Sequence, residues 1–288
     1  MRFDPPEAAL VAADVQRALA EDLGSGDATA ELLPAEATAS AYVITREAAV
    51  LCGQDWFEAC FRMLDPAVAI RWLAADGDRL TAGQTFVELQ GNARALVSAE
   101  RCALNFVQTL SATASVTAAH VAAVAGMRTR ILDTRKTLPG LRIAQKYAVR
   151  CGGGSNHRIG LFDAILIKEN HIAAAGSLSA AVAAARARHP ELLLEVEVEN
   201  FDELHEALAA GVDRVMLDEF SDADLGRAVA DVGGRAEIEV SGGVDLARLR
   251  TIAASGVDFI SIGALTKHVR AIDLSMRVKL DAQRTTAA

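Results

Sequence analysis

A series of apolar runs in the second half of the chain ends on residues equipped for chemistry. ILD stops at Asp133 and leads into Thr134, Arg135 and Lys136, and DAILIK stops at Lys168. LLLEVEVE carries Glu195, Glu197 and Glu199, and RVMLD stops at Asp218. AEIEV leads into Ser241, Gly242 and Gly243, and VDFISIG stops at Gly263 before Ala264. A guanidinium offers a planar fork that fits a carboxylate, while an ammonium is a mobile point charge suited to phosphate. Carboxylates such as Glu197 and Asp218 are ligands that Mg²⁺ accepts, directly or through water, while it also touches substrate phosphates. Glycine-rich strand ends before helices donate N–H groups to phosphate. Together these groups suit a phosphorylated, anionic substrate with a metal ion.

Each residue also has a plainer reading. Arg135 and Lys136 can be charges of a surface turn. Lys168, after the apolar AILI, can be a Schiff-base nucleophile, an anion ligand, or a lysine whose stem merely lies along a strand end. Side chains alternate along a strand, so Glu195, Glu197 and Glu199 share one face, and position favours Glu197 or Glu199 at a ligand. His171 can cap the element after Lys168. CGGGSNHR, residues 151–158, can bring backbone N–H groups to an anion or serve as a flexible link. Cys151 lacks a legible deprotonating partner, so a buried thiol is the better reading. Nothing near Arg101, in SAERCALN, singles it out.

Composition narrows the field. The chain has 288 residues, 51% hydrophobic and 23% charged, a profile with ample core for one large domain or two. No apolar run reaches the ~20 residues a membrane helix needs, and the start, MRFDPPEAAL, does not read as a secretory signal. Four cysteines without a CxxC pair fit a reduced, cytoplasmic protein. The net charge of −9 argues against general nucleic-acid binding. Within that acidic average, residues 134–162 hold Arg135, Lys136, Arg142, Lys146, Arg150 and Arg158, with His157, and no Asp or Glu. A basic island in an acidic chain points to a local anionic partner.

The elements that must position these groups can be read from periodicity. Residues 8–21 and QDWFEACFRML (54–64) read as helices, the latter with Trp56, Phe57, Cys60, Phe61 and Leu64 inward. Residues 38–52, AIRWLA and QTFVELQG read as strands, with hairpin-like DGDRLTAG between the last two. From Ser98 to about Ala125 the chain reads as helix, and Thr129 opens an array of alternating strands and helices. Such an array predicts a parallel α/β barrel whose strand carboxyl ends surround one pocket. After Leu265, AIDLSMRVKLDAQ reads as a final helix. The expected organisation is an α/β sandwich over 1–108, with a C-terminal helix, 268–288, packing back on it, and a catalytic α/β barrel over 109–267.

TRKTLPGLR and QKYAVRCGGGSNHRIGLFDAILIKENH, with EDLGSGDAT, SAERCALN, LEVEVEN, VMLDEF, EVSGGV and SIGALT in order, closely resemble the quinolinate phosphoribosyltransferase family over nearly the whole chain. The resemblance implies an N-terminal α/β sandwich followed by an incomplete TIM-like barrel. It implies a pentosyltransferase that joins quinolinate to phosphoribosyl pyrophosphate, releasing nicotinate mononucleotide, pyrophosphate and CO₂ for NAD biosynthesis. It further implies Mg²⁺ and a head-to-tail homodimer in which Arg101 reaches the partner's site. By the same resemblance Arg101, Thr134, Arg135, His157, Arg158 and Lys168 hold quinolinate. Lys136, Lys168, Glu197, Asp218, Ser241, Gly242, Gly243, Gly263 and Ala264 hold the donor, with Lys136, Lys168, Glu197 and Asp218 catalytic and Glu197 and Asp218 at the metal. Two departures stand out: SATAS at 111–115 where the family has SGIAT, and KENH where KDNH is commoner. Competing readings are a molybdenum-transport-associated paralogue of the same fold, a Schiff-base aldolase using Lys168, and a non-catalytic metabolite sensor.

Overall fold

The structure, a computed structural model, describes residues 4–281. In chain order its elements are α1 (Ala8–Leu23), β1 (Thr38–Thr45), β2 (Ala49–Val50), α2 (Gln54–Leu64), β3 (Ala69–Trp72), β4 (Arg79–Leu80), β5 (Thr85–Asn92) and α3 (Ala93–Ala123). There follow β6 (Arg130–Leu132), α4 (Arg142–Cys151), β7 (Ala164–Ile167), α5 (Glu169–Ala175), α6 (Leu178–Arg188), β8 (Leu193–Val198) and α7 (Phe201–Ala210). The last are β9 (Arg214–Leu217), α8 (Asp222–Val232), β10 (Glu237–Val240), α9 (Leu249–Ala254), β11 (Phe259–Ser261), α10 (Ala264–Lys267) and β12 (Leu274–Leu280). No described helix is long and apolar enough to cross a membrane.

The chain divides into two compact units. One holds residues 1–116, 138–153 and 268–288, and the other 117–137 and 154–267. The boundary thus falls inside α3 and not at 108/109, and α4 belongs with the first unit. The first unit carries a four-stranded sheet in the order β12-β1-β5-β3, antiparallel throughout. Its core is aromatic: Trp56, Phe57, Phe61 and Phe86 are almost wholly buried, each contributing roughly 2 kcal/mol by leaving water. Buried Asp76 caps α2 from a distance, accepting from the N–H groups of Gly53 at 3.0 Å and Gln54 at 3.4 Å and from the Tyr147 hydroxyl at 2.8 Å. That satisfies donors a helix start leaves open.

Among the described residues of the expected C-terminal helix, 268–281, no helix is formed. Residues 274–280 are a strand, with Met276 opposite Val43 and Val278 opposite Ala41, while residues 282–288 lie outside the described ones. LSMRVKL alternates apolar and polar, and that period of two suits the edge of the sheet better than its helix-forming residue types suit a helix.

The second unit is a six-stranded parallel sheet in the order β6-β11-β10-β9-β8-β7. It is an incomplete α/β barrel whose end strands are β6 and β7. Strands covered on both faces read as continuous apolar runs, and β9 and β11 bury nearly every residue. Ser177, Asn200 and Ser221 cap α6, α7 and α8 by accepting from N–H groups of the first turn. The strands therefore end in step, and the groups just beyond them share one rim.

Candidate active site

The rim encloses a cavity of about 310 Å³ lined by Thr134, Arg135, Lys136, His157, Arg158, Leu166, Lys168, Glu197, Met216, Glu239, Ser241 and Ser261. Thr134, Arg135, Lys136, His157, Arg158, Lys168, Glu197 and Ser241 were all expected from the sequence, and one pocket gathers them. Arg101 is not among them; it is exposed on α3 in the first unit.

Local structure explains the aim of each side chain. After β6 the Thr134 hydroxyl accepts from Lys136 N at 3.1 Å, and the Lys136 carbonyl accepts from the Thr266 hydroxyl at 2.8 Å. Asp133, fully buried, clamps the neighbouring loop. It accepts from Asn156 Nδ2 at 2.6 Å and from His157 N at 2.9 Å, and Ser155 pairs with Leu132 as an added bridge of the sheet. Asp163 closes the next turn by accepting from Ile159 N at 2.7 Å and Gly160 N at 2.9 Å. Arg158 Nη1 donates to the Ala164 carbonyl at 3.2 Å. Burial and the neighbouring Arg135 charge lower the Arg158 pKa, against the pull of Glu195 and Asp163. Two guanidiniums forced together in this way are poised to accept an anion.

Lys168 contacts Glu197 directly across the pocket. Its strand end becomes the start of α5, where His171 Nδ1 accepts from Lys168 N at 3.0 Å. His171 is therefore a cap, as the sequence allows. Glu199 lies past the end of β8 and is exposed, so Glu197 is the member of EVEVE that faces this cavity. Asp218 ends β9 beside Gly242, where an added Cβ would meet Asp218 Oδ1 at 2.5 Å on a backbone with φ +86°. At Gly263 a Cβ would come 2.8 Å from Lys136 Cδ. Glycine at both positions makes room for a neighbouring side chain, Asp218 at one and Lys136 at the other. Gly243 follows with φ +51°, and Ala264 begins α10.

Beneath the cations lies a layer that sequence reasoning did not assign to the pocket. Glu195 and Glu239 are fully buried, and with His157 their polar atoms lie within 4.8 Å of one another. His157 Nε2 stands 2.9 Å from Glu195 Oε2 and 3.5 Å from Glu239 Oε2. Its Nδ1 accepts from Arg158 N at 2.7 Å. Burial pushes the Glu195 carboxyl up to about 7, opposed chiefly by Arg214. Burial and the Glu195 charge push Glu239 up to about 8. Arg214, whose Nη1 is 3.4 Å from Glu239 Oε2, closes the layer from the opposite side. The available signal was the two-residue period, which puts Glu195 and Glu197 on one face of β8 and Glu239 and Ser241 on one face of β10, the same face of the sheet by register. The same period does not tell which member of each pair sits deep.

Residues 113–277 match the family model described as "Quinolinate phosphoribosyl transferase, C-terminal domain", and residues 27–111 match its N-terminal domain. A "Probable nicotinate-nucleotide pyrophosphorylase [carboxylating]" of Synechocystis is 41% identical over 268 residues, covering 92% of this chain and 91% of the relative. A nicotinate-nucleotide pyrophosphorylase [carboxylating] of Mycobacterium leprae is 42% identical over 272 residues, covering 91% and 95%. The solved structure of the Francisella tularensis nicotinate-nucleotide pyrophosphorylase superposes with a TM-score of 0.91 at 48% identity, covering 96% of this chain and 100% of that one.

Proposed function

The chain belongs to the quinolinate phosphoribosyl transferase family, and we infer that it transfers phosphoribosyl from phosphoribosyl pyrophosphate to quinolinate in NAD biosynthesis. The products are nicotinate mononucleotide, pyrophosphate and CO₂. The observation that carries the reading is the convergence of Arg135, Arg158, Lys168 and Lys136 on one cavity. Quinolinate is a dianion and the donor carries several more charges. Like charges at close range repel strongly at reduced dielectric, so the two can meet only in a cationic pocket.

In this reading Arg135, Arg158 and Lys168 hold the two carboxylates, with Thr134 and His157 shaping the same end of the pocket. Lys136, Ser241, Gly242, Gly243, Gly263 and Ala264 cradle the donor phosphates. The quinolinate ring nitrogen displaces pyrophosphate at the anomeric carbon, where positive charge develops on the sugar, and Glu197 or Asp218 stabilises it. The alkylated nitrogen then draws in the electron pair of the bond to the neighbouring carboxylate. CO₂ leaves, and the ring carbon takes up a proton. The chain's contribution is mainly position and charge. Lys168 has Glu197 as a counter-ion that can be exchanged for substrate, which keeps the ammonium aimed while the pocket waits.

Glu197 and Asp218 are hard oxygen donors at adjacent strand ends, a set that fits Mg²⁺, held directly or through water. The ion would offset the charge of the pyrophosphate.

We also read the chain as a cytoplasmic homodimer. Strand β7 is an end strand, and nearby Leu161 and Phe162 are 73% and 74% exposed, an apolar pair suited to cover by a partner. The homodimer gives exposed Arg101 a role at the partner's site. The four cysteines are buried as free thiols, in keeping with a reducing compartment.

The test is release of CO₂ and formation of nicotinate mononucleotide from quinolinate, phosphoribosyl pyrophosphate and Mg²⁺, with nicotinate as the control acceptor. Turnover of quinolinate alone is expected. Arg135→Ala should raise the quinolinate KM roughly a hundredfold, as loss of one partner of a buried charge pair does. Unchanged kcat/KM in that variant would remove Arg135 from the site.

A further inference from the structure

The buried layer under the cations bears on how His157 acts. Two opposed demands meet on its ring. Glu195, from β8, and Glu239, from β10, face Nε2 at 2.9 and 3.5 Å, and any negative charge on those carboxyls would favour a charged imidazolium. At the other edge the Arg158 N–H points at Nδ1 from 2.7 Å. A second proton on Nδ1 would put two N–H groups head to head at that distance. The N–H of the main chain cannot be given up, so the Nδ1 contact decides.

The backbone reinforces this choice. His157 N donates to Asp133 Oδ1 at 2.9 Å, and Arg158 is tied by Nη1 to the Ala164 carbonyl at 3.2 Å. The ring therefore cannot swing away from the Arg158 N–H without loosening the turn that aims the guanidinium. Ser261, from β11, and Arg214, from β9, complete the polar groups around Glu239. A histidine fixed through one nitrogen has its tautomer set by the partner of the other.

We propose that Glu195 and Glu239 are positioning residues that hold His157 as its neutral Nε2–H tautomer, so that the ring fixes the Arg158 main chain and walls the pocket without adding a cation. The carboxylate-binding charge then comes from Arg135, Arg158 and Lys168. The kinetic consequence rests on the quinolinate reading above; the tautomer does not.

The experiment uses the full chain labelled with ¹⁵N-histidine, the His157 signals being assigned from their loss in His157→Gln. Between about pH 6 and 8, where a free histidine changes charge, His157 should show a protonated Nε2, a bare Nδ1 and no change. Two protonated nitrogens, or the Nδ1–H tautomer, would overturn the proposal. In kinetics, Glu239→Gln and Glu195→Gln should each raise the quinolinate KM roughly tenfold or more, as a misplaced binding group does, and leave the donor KM within about twofold. An equal rise in both KM values, or no rise, would refute the positioning role. If either variant does not fold, the other and the unmodified chain's spectrum still decide. Failure of the unmodified chain to consume quinolinate would sink the functional reading and leave the tautomer result standing.

Discussion

Glu239 shows what a single buried carboxyl does to the molecule that holds it. Its pKa is raised from the ordinary 4.5 to about 8, first by burial and then by the Glu195 charge. The folded chain therefore binds this proton more tightly than the unfolded chain does. Stability from the group is greatest below about pH 4.5, falls as pH rises toward about 8, and levels off beyond. Glu239→Gln removes that dependence. Relative to the unmodified chain it should gain about 1 kcal/mol or more between about pH 5 and pH 9, read from urea unfolding at both. An equal stability difference at the two pH values would show that Glu239 does not hold its proton in the folded state. A neutral amide also keeps the bulk that fills the space between Arg214 and His157, so the titrating group is removed without opening a cavity.

At the scale of elements, the strand ends are where sequence and structure agree best. Parallel strands buried on both faces are mostly apolar, so a charged residue at the end of such a run marks the rim. Lys168 and Asp218 are legible for that reason, and Glu197 only as an alternative to Glu199. Glu195 and Glu239 were not assigned because depth along a strand depends on the register between neighbours, such as Glu195 against Arg214 and Glu237 against Arg214, and one chain alone does not state a register. The last strand was missed for another reason. LSMRVKL alternates cleanly, yet its leucine, methionine and lysine also favour helix, and only pairing with β1 decides between them. The division of α3 and the placement of α4 depend on packing, which no local pattern records. Glycine at 263 was read as a phosphate cradle, and the structure adds a second requirement. A methyl group there would stand 2.8 Å from Lys136 Cδ. Gly263→Ala should displace that lysine and raise the donor KM roughly tenfold, with the melting temperature little changed. A donor KM equal to that of the unmodified chain would show that Lys136 does not serve the donor.

For the whole molecule, the proposed homodimer makes each site a joint product of two chains. Arg101 would come from one and Arg135 from the other. Arg101→Ala and Arg135→Ala should each be nearly inactive alone. Subunits mixed and allowed to exchange should recover about a quarter of full activity, since half of the dimers are mixed and each mixed dimer keeps one intact site. No recovery, with exchange shown by mass, would place both residues in one subunit's site. Replacing exposed Leu161 and Phe162 by aspartate should favour monomers in sedimentation, and the same variants should lose activity only in proportion to the dimer lost.

Asp133 carries one more implication, for ancestry. Its two oxygens are engaged by residues that follow much later in the chain, Asn156 Nδ2 on one and the His157 main chain on the other. Swapping the acid for its amide would turn one acceptor into a donor aimed at another donor. Among descendants of this gene, positions 133 and 156 should drift as a couple or stay frozen together, however freely the surrounding turn is rewritten.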